Sequence, residues 1–177
     1  ISLVYGVTGT TQLSDLAAAV KNQGSMDMAL VLAIIFLVAG FGFKVAAVPF
    51  HMWAPDVYEG APTSITAFMS VGPKAASFAA ILRVFLGALG PVSVSWVNLI
   101  AALSIVTMAV GSIVALSQTN IKRMLAYSSI AHAGYALLGL VAGGPDGIAA
   151  VMLYMLISTF MNMGIFGTII LMRKGNF

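Results

Sequence analysis

Two lysines stand inside apolar sequence, and each is a group that could hold and pass on a proton. Lys74 lies in the run 63–86, eleven positions after Thr63, which is about 15 Å along a helix. That depth is mid-bilayer, where a lysine costs about 2.5–3.5 kcal/mol even on the mildest scale. A buried ammonium is costly to keep charged, so such a lysine can release and regain a proton. The structural alternative is a lysine paired with a backbone carbonyl or a loop acid. Lys44 interrupts a second apolar run, 28–53, and Pro49 follows it. Proline removes one helix hydrogen bond and frees the carbonyl four residues back, here that of Val45. A helix broken beside a charge is a device used by transporters; a plain kink with a snorkelling lysine is the alternative. Pro73, directly before Lys74, would free the carbonyl of Met69 in the same way.

Three aromatic or imidazole side chains could extend a proton path. His132 falls mid-run, one turn after Ser128, with Tyr127 and Tyr135 nearby. A neutral imidazole can relay protons or simply bond a neighbouring helix. His51 stands close to Trp53 and Pro55, a pattern typical of a membrane interface. Asn162, one turn after Ser158, reads best as a polar contact between helices. All five acids, Asp15, Asp27, Asp56, Glu59 and Asp146, fall in loops or at span ends, so no carboxylate sits deep beside either lysine.

The elements that must position these residues are membrane spans. Hydrophobic residues make up 60% of the 177 residues and charged residues 7%, against roughly 25% charged in a soluble domain. Mean hydropathy is +1.05. Crossing a bilayer takes about 20 apolar residues, and on that rule the spans are 28–53, 63–86, 92–116, 124–141 and 148–172. Residues 1–7 read as the last turns of a helix begun upstream, and 173–177 as a loop leaving a helix. The chain is therefore read as an internal fragment of a longer protein. Short links rich in Gly and Pro make successive spans antiparallel neighbours in one bundle. The expected fold is an all-α polytopic membrane protein, a single domain of about five complete transmembrane helices plus part of a sixth at the N-terminus.

Composition excludes several chemistries. The net charge of +3 comes from few charges and is no nucleic-acid footprint. With no cysteine, the chain has no disulfides, thiolate metal sites or thiolate-held iron–sulfur clusters. Lys122, Arg123, Arg173 and Lys174 share the side reached at the end of the first span, against Lys21 and Arg83 on the other. The positive-inside rule places the first group in the cytoplasm.

The stretches Gly42 to Pro62 (GFKVAAVPFHMWAPDVYEGAP) and Gln118 to Tyr135 (QTNIKRMLAYSSIAHAGY) resemble the antiporter-like membrane subunits of respiratory complex I. Asp56 to Pro62 and the Pro73-Lys74 placement are most similar to the subunit N branch, whose mitochondrial relative is NADH dehydrogenase subunit 2. The resemblance covers nearly the whole chain. It implies a larger antiporter-like bundle of two inverted repeats, with Lys44 matching the lysine of the family's broken helix and Lys74 that of the next helix. The family's partner glutamate and a further lysine would lie outside this chain. Proton translocation coupled to quinone reduction elsewhere in an NADH:quinone oxidoreductase is the implied function. The implied place is the bacterial inner (plasma) membrane, among other membrane subunits. No cofactor or metal is expected on this chain; NADH, FMN, iron–sulfur clusters and quinone would belong to other subunits.

Subunits of multi-subunit cation/proton antiporters and membrane-bound hydrogenases share the lysine pattern. A haem-b electron carrier with His51 and His132 as axial ligands is a reading from another class, but the depths of the two histidines disagree. A passive structural subunit leaves two buried lysines without an explanation. The topology is open to direct test, because the chain is free of cysteine. Single cysteines at Asn120 and Pro145 should label from opposite sides of the membrane; labelling of both from one side would exclude the assignment.

Overall fold

The computed structural model describes residues 2–22 and 27–174. Two short helices, α1 (Ser2–Thr8) and α2 (Leu13–Asn22), precede α3 (Met28–Val45). A short α4 (Trp53–Gly60) leads to α5 (Thr63–Leu82), which continues as a wide π-type turn at Arg83–Ala88 and a 3-10 turn at Gly90–Val92. Helices α6 (Ser93–Leu116), α7 (Ile121–Ala142) and α8 (Gly144–Lys174) complete the order. Five segments are long and apolar enough to cross a membrane: 28–45, 63–88, 90–116, 121–142 and 144–172. The regular structure of the described residues is wholly helical, that of a multi-pass membrane chain.

The first span departs from the expected 28–53. Helix α3 starts on Asp27, whose carboxylate accepts from the Ala29 N–H at 3.3 Å, and stops at Val45. Ala46 takes the left-handed conformation, φ +60°, a region few non-glycine residues adopt. Its N–H bonds the Phe43 carbonyl at 3.1 Å, and the Ala47 N–H bonds Gly42 at 2.8 Å, which closes the helix end. The Trp53 indole donates to the Phe43 carbonyl at 2.8 Å. The Val48 N–H is taken by the Thr107 hydroxyl of α6 at 3.1 Å, followed by a cis Val48–Pro49 bond. Irregular backbone at membrane depth survives only where such partners exist. The break expected around Lys44 and Pro49 is therefore present, and residues 53–60, read as span end and link, form a helix of their own. At Pro73 the backbone differs from expectation, because α5 stays helical through it. The irregular turn comes later, at Arg83–Ala88.

Smaller adjustments concern the ends. Residues 2–8 are helical as read, while Ile1 lies outside the described residues. Helix α2 was not foreseen; its Leu16 and Val20 are buried. Arg173 and Lys174 continue α8 instead of leaving it, and residues 175–177 lie outside the description.

Close packing of α6 on α7 carries the centre of the bundle. A Cβ on Gly111 would stand 2.6 Å from the Ala131 backbone nitrogen, and one on Gly134 2.9 Å from that of Met108. Only glycine lets the two backbones approach so closely. The Ser104 hydroxyl donates to the Gly134 carbonyl at 2.7 Å across the same seam. Beside it Phe85 packs edge-on to Trp96 (5.2 Å) and Phe41 (6.1 Å), and the Trp96 indole donates to Leu89 O at 3.0 Å.

Candidate functional site

Lys74 reaches from the middle of α5 to α7. It is 8% exposed, and its ammonium donates to both the carbonyl and the hydroxyl of Ser129, each at 2.5 Å. An ammonium has three donors, so these two bonds leave one. No ion pair to Lys74 exists among the described residues, in keeping with the absence of deep carboxylates in the sequence. The structural alternative, a lysine held by a carbonyl, is realised here together with a hydroxyl.

Around this contact lies a cavity of about 20 Å³, lined by Lys74, Ser129, His132, Ser158, Thr159 and Asn162 among others. That is room for about one water, and the lining supplies the polar partners a water needs. On the far side, His132 Nδ1 shares a hydrogen bond with the Tyr154 hydroxyl at 2.5 Å, and Tyr154 in turn bonds the Ser158 side chain. On the near side, Tyr58 of α4 hydrogen-bonds the Ser129 side chain. Burial raises the Tyr58 phenol above its ordinary value, and the Ser129 hydroxyl offsets part of that rise. Tyr58 is therefore a neutral hydrogen-bonding group at physiological pH. The result is two short polar chains, Tyr58–Ser129–Lys74 and His132–Tyr154–Ser158, meeting at one cavity.

Helix α4 is held in place at its exposed end. Arg123 bridges Asp56 at 2.8 Å and Glu59 at 2.9 Å. Asn120, the N-cap of α7, donates to Glu59 at 2.9 Å, and Lys122 donates to the Ala61 carbonyl at 2.8 Å. Each exposed pair adds little by itself, but together they fix the register of α4 on α7. The Thr66 hydroxyl adds a buried bond to the Tyr58 carbonyl at 3.1 Å.

Lys44 is not among the residues lining the Lys74 cavity. It sits in the last turn of α3 and is exposed on this chain. Among the described residues it has no hydrogen bond or ion pair. His51 is only 9% exposed within the 46–52 turn, edge-on to Tyr127 at 6.3 Å. Its Nδ1 is buried without a partner. Tyr127 is buried as well. His132 lines the Lys74 cavity and His51 does not, and His132 Nδ1 is engaged by Tyr154. Among the described residues no group of three His, Asp or Glu side chains could hold a metal.

Ser129, Tyr58 and Tyr154 were not singled out in the sequence. Ser129 carried a signal, since it precedes His132 by three positions and so shares its helix face. Tyr58 and Tyr154 carried none, because their roles depend on how α4 and α8 dock.

The family pattern of the NADH:quinone oxidoreductase/Mrp antiporter transmembrane region matches residues 1–176. The chain belongs to this NADH:quinone oxidoreductase/Mrp antiporter family. Among relatives, NADH-quinone oxidoreductase subunit N 2 of Rhizobium meliloti (strain 1021) is 66% identical over 177 residues, covering 100% of this chain and 36% of the relative. Subunit N of Moorella thermoacetica is 56% identical, covering 94% and 35%. Among solved structures, respiratory complex I from Thermus thermophilus matches with TM-score 0.75 and 37% identity, over 94% of this chain and 34% of that one. The Mrp complex from Dietzia sp. DQ12-45-1b matches with TM-score 0.82 and 27% identity, over 93% and 30%. The chain thus spans about a third of the length of these family members.

The Lys74–Ser129 contact is testable as a coupling. Ser129→Ala should cost about 1.5–3 kcal/mol, the range for hydrogen bonds to charged groups, in unfolding from detergent micelles. In a Lys74→Met background the same change should cost far less. Equal costs in both backgrounds would exclude the contact.

Proposed function

We propose that this chain is part of a proton-translocating membrane subunit of an NADH:quinone oxidoreductase in a bacterial inner membrane. On this reading Lys74 is the proton-holding group. The observation that carries the reading is a buried ammonium held by neutral acceptors alone beside a polar cavity. A lysine so placed can exchange a proton with a water in the cavity, and His132 lines the same cavity to receive it. Tyr154 shares the other imidazole nitrogen and fixes the ring. Proton movement here needs no electron carrier on this chain. NADH, FMN, iron–sulfur clusters and quinone would belong to other subunits of the assembly.

Lys44 enters as a second proton site at the broken end of α3. Its exposure on this chain fits a role at a contact with further protein, where a carboxylate could face it. His51, two residues after Pro49, packs edge-on to Tyr127, and its buried Nδ1 has no partner among the described residues.

A second reading, a cation/proton antiporter subunit, draws support from the Mrp likeness at TM-score 0.82. The 66% identity to a subunit named NADH-quinone oxidoreductase favours the first. In reconstituted vesicles holding the full assembly, Lys74→Ala should lower protons moved per electron and coupled quinone reduction, with assembly verified separately. Lys74→Arg should restore neither, because arginine does not release its proton. Normal pumping in a Lys44→Ala, Lys74→Ala double variant would remove the mechanism. Sodium-driven proton movement without quinone reduction would favour the second reading.

A further inference from the structure

An apolar groove of about 690 Å³ lies between α5 and α8. Its walls are almost wholly hydrocarbon, from Phe78 and Leu82 on α5 and from Val151 and Met155 on α8. The groove has a direction. On α5 it runs from Ala75 to Gly87, and on α8 from Thr159 back to Ile148. Eleven or twelve residues of helix span about 16–18 Å, which is close to one leaflet of a hydrocarbon core about 30 Å thick.

The two ends are chemically different. The end formed by Ala75 and Thr159 lies at the level of Lys74. The other end carries Arg83, in the opened turn that closes the span. That end is remote from the α4 side, because α5 starts beside α4 and α7 starts at the Arg123 bridge to it. Arg83 is exposed and has no hydrogen bond or ion pair among the described residues. It stands five residues before the end of the span at Ala88, about 7 Å inward, a depth from which a guanidinium reaches a phosphate.

We propose that this groove binds one anionic phospholipid of the leaflet remote from α4, with an acyl chain between α5 and α8 and the headgroup phosphate, uncompensated by a cationic headgroup, on Arg83. Three observations converge on that occupant: a hydrocarbon channel, a length of one leaflet, and an unpaired cation at its membrane-edge end only. The relatives are about three times as long as this chain, and a helix from such a further segment would match the apolar wall, but it would have to bring a carboxylate, costly at membrane depth, to Arg83, where a leaflet already places its phosphates. The bound chain also has a consequence for the site. Met155 and Thr159 line both the groove and the Lys74 cavity, so the end of the acyl chain packs behind their side chains and keeps water from that wall.

Met152 lines the groove and is 64% exposed, and the chain has no cysteine of its own. Met152→Cys, in the full-length protein with its assembly partners, can carry a benzophenone label. The test places it in vesicles of phosphatidylcholine with a minor fraction of phosphatidylglycerol. Illumination should give α8 peptides crosslinked to phosphatidylglycerol at about tenfold over its share of the bilayer, the equivalent of one charge-assisted contact. Arg83→Gln should bring that enrichment back to the bulk share, and Arg83→Lys should keep most of it. Crosslinks in bulk proportion in the parent, enrichment unchanged in Arg83→Gln, or crosslinks to polypeptide in place of lipid would each overturn the proposal. Because lipid capture is read without turnover, its failure and a failure of proton translocation are distinguishable.

Discussion

An ammonium group within an apolar bundle must find acceptors, and Lys74 finds two on a single residue of the facing helix. Much of the surrounding architecture serves that meeting. Ser129 must face α5, so α7 must hold one rotation, and the close glycine seam with α6 fixes it through Gly111 and Gly134. The carbonyl of Ser129 lies within a continuous helix, so its hydroxyl and its carbonyl approach the lysine together. Tyr58 then completes the hydroxyl's partners from α4, a helix held against α7 by Arg123, Asn120 and Lys122.

The second organising feature is the interruption after α3. Its cost in lost helix hydrogen bonds is met locally by Ala46 and Ala47 N–H groups, by the Trp53 indole and by Thr107. Those partners come from three elements, so the break is built into the packing and is no local weakness. It leaves Lys44 outward at one side and buries His51 with Tyr127 at the other. The two long sequence motifs therefore share one contact. The first supplies the break and the acidic face of α4, and the second supplies the basic N-terminus of α7 and then Ser129 and His132.

The spans were legible because bilayer length and hydropathy leave little choice, and Lys74 was legible because a charge at that depth is conspicuous. The end of α3 at Val45 was not, since Val45 to Trp53 is as apolar as a helix would be and the stop depends on Thr107, far along the chain. The burial of His51 was not legible from its neighbours Trp53 and Pro55, because it depends on how the 46–52 turn packs on Tyr127. Lys44 looked buried by sequence depth alone, whereas exposure depends on which helix face it occupies. Pro73 misled in the other direction: α5 keeps its helix there and opens ten residues later, at Arg83.

The central claim is that Lys74 changes its protonation when the protein works. Infrared difference spectra of the full assembly, recorded on starting turnover with isotope-labelled lysine, report this directly. The account predicts a lysine-isotope-sensitive band that appears on turnover and is absent in Lys74→Arg. A turnover spectrum with no lysine-sensitive change, or with the same change in Lys74→Arg, would contradict it.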